Sequence, residues 1–74
     1  MSNSISQARE QLNQIKYYHE HAGQNGYSQA IHHHSELSNI YRKSNKTDAP
    51  LINNFVREAN ILMDEMKKRR DEDT

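Results

Sequence analysis

The stretch Ala49-Pro50-Leu51-Ile52-Asn53-Asn54-Phe55-Val56-Arg57-Glu58-Ala59-Asn60-Ile61-Leu62-Met63-Asp64-Glu65-Met66 places apolar side chains at Ile52, Phe55/Val56, Ala59, Leu62/Met63 and Met66. Steps of three and four residues put all of these on one face of an α-helix, and the spacing predicts a helix over about 49–69. Pro50 suits the first turn of that helix, where a missing N–H removes no hydrogen bond, and Thr47 or Asp48 can cap it. At the other end Lys67-Lys68-Arg69-Arg70 brings cations to the negative pole of the helix dipole, after which residues 70–74 read as a frayed, solvated tail.

Working backwards, Ser44-Asn45-Lys46-Thr47-Asp48 breaks the pattern. The preceding segment repeats it: Tyr27, Ala30/Ile31, His34, Leu37 and Ile40/Tyr41 form a stripe that predicts a helix over about 27–43. Ala22-Gly23-Gln24-Asn25-Gly26 marks a stop and a turn. Before it, Ile5, Ala8, Leu12, Ile15, Tyr18 or His19, and Ala22 form a third stripe, predicting a helix over about 4–22 with Ser4 as its N-cap. Three helices joined by short loops pack with antiparallel neighbours. The expected fold is therefore all-α: a small three-helix bundle, or a helical hairpin plus a third helix, in one domain covering 1–74.

Composition bounds the function. Only 32% of the 74 residues are hydrophobic, so each stripe is thin and includes Ala, Tyr or His. Such a chain gains by burying a face against a partner or a second copy of itself, which makes a homodimer an expectation. Ten Lys and Arg balance ten Asp and Glu. A neutral chain lacks the long-range field that draws proteins to nucleic acid or anionic membranes, so neither is an expected partner. No apolar run reaches the roughly 20 residues that span a bilayer, so membrane insertion is not expected. The absence of cysteine removes disulfides, thiolate nucleophiles and cysteine metal sites together, and a cytoplasmic location is expected. The N-terminal Met1-Ser2-Asn3-Ser4-Ile5 lacks the basic-then-apolar pattern of a signal peptide, and the chain reads as one that stands alone.

Five histidines, His19, His21, His32, His33 and His34, are the residues that most invite a chemical reading. A helical metal site sets its ligands on one face, typically at i and i+4, and no histidine pair has that spacing. An antiparallel hairpin brings His21 level with about Ser28 and His32 level with about Tyr17, which offsets the two groups. The mixed set His21, His32 and Glu36 is the remaining metal candidate; packed or solvated histidines are the expected outcome, with His34 in the core and hydrogen-bonded. Histidines at this density make stability sensitive to pH between roughly 5 and 7.

Nucleophilic catalysis requires a nucleophile, a base and an orienting acid held together, and no strained turn here presents a serine or histidine. Gly23 and Gly26 form no phosphate-cradling loop, and carboxylate pairs such as Asp64-Glu65 solvate a helix. The chain is expected to be no enzyme and to use no cofactor. The run Lys67–Arg70 is followed at once by Asp71-Glu72-Asp73, so this end neutralises itself.

The tyrosines carry more. Tyr17, Tyr18, Tyr27 and Tyr41 are concentrated on the first two helices and cannot all face one small core. Tyrosine favours interfaces because it joins apolar area to a polar tip at low entropy cost, so Tyr17 and Tyr18 are candidate partner-binding residues. The expected function is a small helical interaction protein that regulates, adapts or inhibits a partner protein through a helix face or groove.

The segment Gly26-Tyr27-Ser28-Gln29-Ala30-Ile31, followed by His34, Leu37 and Tyr41, resembles the turn and second helix of tetratricopeptide-like hairpins. Together with Phe55-Val56-Arg57-Glu58-Ala59-Asn60-Ile61-Leu62 it looks closer still to MIT domains, three-helix modules of trafficking proteins. That resemblance implies a module in which Val56, Ala59 and Leu62 line a groove for a partner helix. Asn60 stands where that family usually has an acid, which weakens pairing with a basic ligand.

Overall fold

A computed structural model describes residues 3–21 and 26–72, Glu72 by its backbone alone. Three helices pack together, α1 (Asn3–His21), α2 (Gly26–Lys43) and α3 (Ala49–Glu72), and no strand occurs among the described residues. The all-α three-helix bundle expected from the stripes is the observed fold. Ala22 and the turn Gly23–Asn25 lie outside the described residues.

Side-chain contacts give the direction of each helix. Gln11 and Tyr18 of α1 both meet His33 of α2, which sets the level at which these two helices touch. Between α2 and α3, His34 meets Asn60 and Tyr27 meets Arg70, so a lower number on α2 pairs with a higher one on α3: these two are antiparallel. Along α1 and α3 the contacts advance together, from Arg9–Phe55 to Lys16–Glu58 to His19–Glu65, which makes them parallel. The result is an up-down-up rod 43 Å long and 15 × 14 Å across.

Among the described residues its axis is a cluster of eight buried apolar side chains: Ala8, Leu12 and Ile15 from α1, Ala30 and Leu37 from α2, and Ile52, Ala59 and Met66 from α3. All belong to the predicted stripes. Where the periodicity allowed two neighbours, packing chose between them on α2: Ala30 is buried and Ile31 exposed, Ile40 is half-buried and Tyr41 more open. On α3 the pairs Phe55/Val56 and Leu62/Met63 are both half-buried, because a helix touching two neighbours buries a broad stripe. Tyr18 and His19 divide the same way, one toward α2 and one toward α3.

Three boundaries differ from the sequence reading. α1 already includes Asn3, which puts Ser4, the expected N-cap, inside the helix. The cap before α3 is Asn45, whose Oδ1 accepts from the Asp48 N–H at 2.8 Å while its carbonyl accepts from the Ala49 N–H at 3.0 Å. Asn45 thus starts the helical turn that Thr47 and Asp48 occupy, and buried Asp48 sits at the positive pole of the dipole. Asn45→Ala is expected to cost about 1 kcal/mol, read as a lower urea midpoint at unchanged slope; Asn45→Asp should retain most of the stability. At the other end α3 continues to Glu72 and does not fray from residue 70. The Arg70 guanidinium lies 4.5 Å from the centre of the Tyr27 ring, a cation–π contact that holds the last turns against the start of α2.

Candidate functional site

Five rings form a continuous series on the face shared by α1 and α2, near the α1–α2 turn. His21 lies 4.8 Å from Tyr17, Tyr17 meets Tyr18 edge-on at 5.4 Å, Tyr18 stacks on His33 at 5.8 Å with 22° between planes, and His33 meets His32 at 5.3 Å. The helix period produces this arrangement. Tyr17 and His21 are separated by one turn, Tyr18 points a further 100° toward α2, and the antiparallel register brings His33 opposite it.

Exposure grades along the series. Tyr17 is 56% exposed, one of the largest exposed apolar surfaces on the molecule, whereas Tyr18 is half-buried against the core. Contact with Tyr18 restrains the Tyr17 ring, so less side-chain freedom remains to be lost on binding. His33 anchors the inner end: its Nδ1 lies 2.7 Å from Gln11 Oε1. An amide oxygen only accepts, so that nitrogen carries the proton. Burial, aided by the neighbouring charge of His32, holds the His33 imidazole below the usual histidine range, against the opposing pull of Glu36 and Glu10.

The metal candidates do not converge. His21 packs beside Tyr17 with Glu20 at 3.7 Å, His32 leans on His33, and exposed Glu36 lines a separate groove with Ser4, Gln7, Asn39, Ile40 and Lys43. No group of three or more His, Asp or Glu able to hold a metal occurs among the described residues. The groove, about 340 Å³, is open and lined by both charges. His34 is half-buried, with Nε2 2.5 Å from Asn60 Oδ1.

The helix groove implied by the MIT resemblance has a different appearance here. Ala59 is fully buried at the bundle axis, and Val56 and Leu62 are half-buried against the same core. These three residues are occupied in holding α3 to its neighbours, because the third helix closes the bundle over them. Among the described residues, no helix is long and apolar enough to cross a membrane.

Gln11 lies off the apolar stripes and carries no motif of its own, while Glu65 and Arg69, which the sequence presents only as part of a carboxylate pair and a basic helix end, meet His19 across the bundle. Hairpin register was the available signal for Gln11: numbering across the turn places His33 between Gln11 and Tyr18. Compared with known proteins, the chain matches no family model, no curated protein and no solved structure.

Proposed function

We propose that this chain is a non-catalytic interaction protein, a cytoplasmic regulator or adaptor, that engages a partner protein through the α1–α2 ring face. One observation carries the reading: Tyr17, 56% exposed, is held edge-on by a second tyrosine at the head of a stacked series. A large, restrained aromatic with a polar hydroxyl tip is the type of side chain that anchors interfaces, since it buries much area and loses little entropy. Self-association through the same face gives the proposed homodimer.

The test compares Tyr17→Ala with Ile61→Ala, the latter removing an exposed apolar side chain (63%) from α3. Both variants should keep wild-type helicity and lose less than about 1 kcal/mol of stability. A partner recovered with the wild-type chain, or the dimer seen by light scattering, should weaken about tenfold or more in Tyr17→Ala and stay unchanged in Ile61→Ala. Equal binding by both variants removes the ring face from consideration.

A further inference from the structure

The balance of ten cations against ten anions conceals a sided distribution. α1 and α2 together carry three carboxylates, Glu10, Glu20 and Glu36, and all three border the ring face. Glu20 lies 3.7 Å from His21, which packs on Tyr17, while Glu10 of α1 and Glu36 of α2 both exert their charge on His33. Each of the three is exposed. The four cations of the same two helices are directed elsewhere. Arg9 lies 5.8 Å from the centre of the Phe55 ring and Lys16 3.2 Å from Glu58, both toward α3. Arg42 bonds Asn39, and Lys43 lines the groove beside Ser4, at the last turn of α2. Of the basic end of α3, Arg69 is engaged by His19 and Arg70 by Tyr27.

These carboxylates decide what can cover the rings. Tyrosines and neutral histidines offer π faces, the carboxylates around them offer a negative potential, and both attract a cation. A guanidinium meets both at once, stacking flat on a ring while its N–H groups donate to carboxylate oxygens. In a symmetric dimer through this face, three carboxylates of one copy would meet the same three of the other. Of the two occupants considered for the face, a second copy and a different chain, the charges therefore favour the different chain. Glu10 and Glu20 stand about 15 Å apart along the axis of α1, with Tyr17 between them, a span of about three helical turns.

We propose that the ring face takes a basic segment of another protein lying along α1, with one arginine packed on Tyr17 and further cations paired with Glu10, Glu20 and Glu36. This partner chemistry rests on the ring face being the docking site and adds to it a charge and a spacing. Tyr17 supplies buried area at the centre. The carboxylates at the rim select the sign of the partner and draw it in, each contributing little affinity alone because its pair stays solvated. Binding consequently weakens as salt screens these rim charges.

The probe is an alanine-based helical peptide of about five turns with arginines two turns apart, compared with the same peptide bearing glutamates at those positions. Binding to the full chain is followed by NMR at low salt and about pH 7.5, where histidines are neutral. The arginine peptide should bind, shifting signals of Tyr17, His21, His32 and Glu36 more than those of α3, and the glutamate peptide should not. Glu10→Gln, Glu20→Gln and Glu36→Gln combined should weaken binding about tenfold, the joint effect of three exposed pairs. Glu58→Gln with Glu65→Gln, which removes two charges on the α1–α3 side, should leave binding within about twofold. Tyr17→Ala should weaken it about tenfold or more. Loss of binding in Tyr17→Ala with none from the three glutamines overturns the cation selection and leaves the ring-face reading standing. Binding that survives Tyr17→Ala but not the three glutamines overturns the ring-face reading, and with it the place assigned to the arginine. Equal behaviour of the two peptides, or shifts centred on α3, also overturns the proposal, and these comparisons use the wild-type chain alone.

Discussion

Leu37→Ala is expected to lower stability by about 3 kcal/mol, on the order of a hundredfold in the ratio of folded to unfolded chains. Leu37 is fully buried and is one of the four largest side chains in that condition, with Ile15, Ile52 and Met66. Truncation removes the transfer free energy of the lost carbons and leaves a cavity whose walls lose their contacts, because helices fixed by two other seams collapse only partly into the space. A chain of this length has a total stability of only roughly 4–10 kcal/mol, so this one change consumes a large part of it. Urea denaturation followed by far-ultraviolet circular dichroism measures the effect as a drop in midpoint. The control is Leu51→Ala, a leucine truncated at a 40% exposed site, which should shift the midpoint much less. Equal losses from the two leucines would mean that the bundle core is not centred on Leu37.

Ala59→Leu should destabilise by about 1–3 kcal/mol although it adds apolar surface. Ala59 is fully buried at the axis, and α3 approaches α1 and α2 there because the side chain is a single methyl. A leucine can be housed only by pushing helices apart or by adopting strained rotamers. This substitution also separates two views of α3. If Val56, Ala59 and Leu62 lined an open groove, a larger residue would fill free space and leave the melting temperature unchanged or higher. If they lie in a closed seam, the melting temperature falls by several degrees, as roughly 4–8 °C per kcal/mol applies to domains of this size. Ala59→Gly provides the complementary measurement, costing about 1 kcal/mol through helix propensity with a further loss of packing.

The surface ion pairs are expected to contribute little by comparison. Lys16–Glu58 at 3.2 Å and Lys68–Asp64 at 3.3 Å join side chains that are 44–71% exposed, where solvent screening and side-chain entropy offset most of the attraction. The contacts of Arg69 and Arg70 differ from these, because each joins the far end of α3 to another helix, at His19 and at Tyr27.

Apolar periodicity alone determined the fold class, the number of helices and nearly all of the core. A residue's angle around a helix depends only on the 3.6-residue repeat, so Ala8, Leu12, Ile15, Leu37, Ile52 and Met66 can be placed on inward faces without knowing any neighbour. The exposure of Tyr17 was likewise legible, since four tyrosines cannot share one small core. The choice between Ala30 and Ile31, the cap at Asn45, the persistence of α3 through Arg70 and the burial of Ala59 were decided by tertiary packing. Each depends on which helix lies alongside and at what level, and a period of one helix carries no information about the register between two. Numbering across the hairpin turn brings His33 near Gln11, but the pairings of His34 with Asn60 and His19 with Arg69 join residues 26 and 50 positions apart, which no single-helix period relates. Sequence supplied the imidazoles; only the packed bundle gave each its own seam and partner.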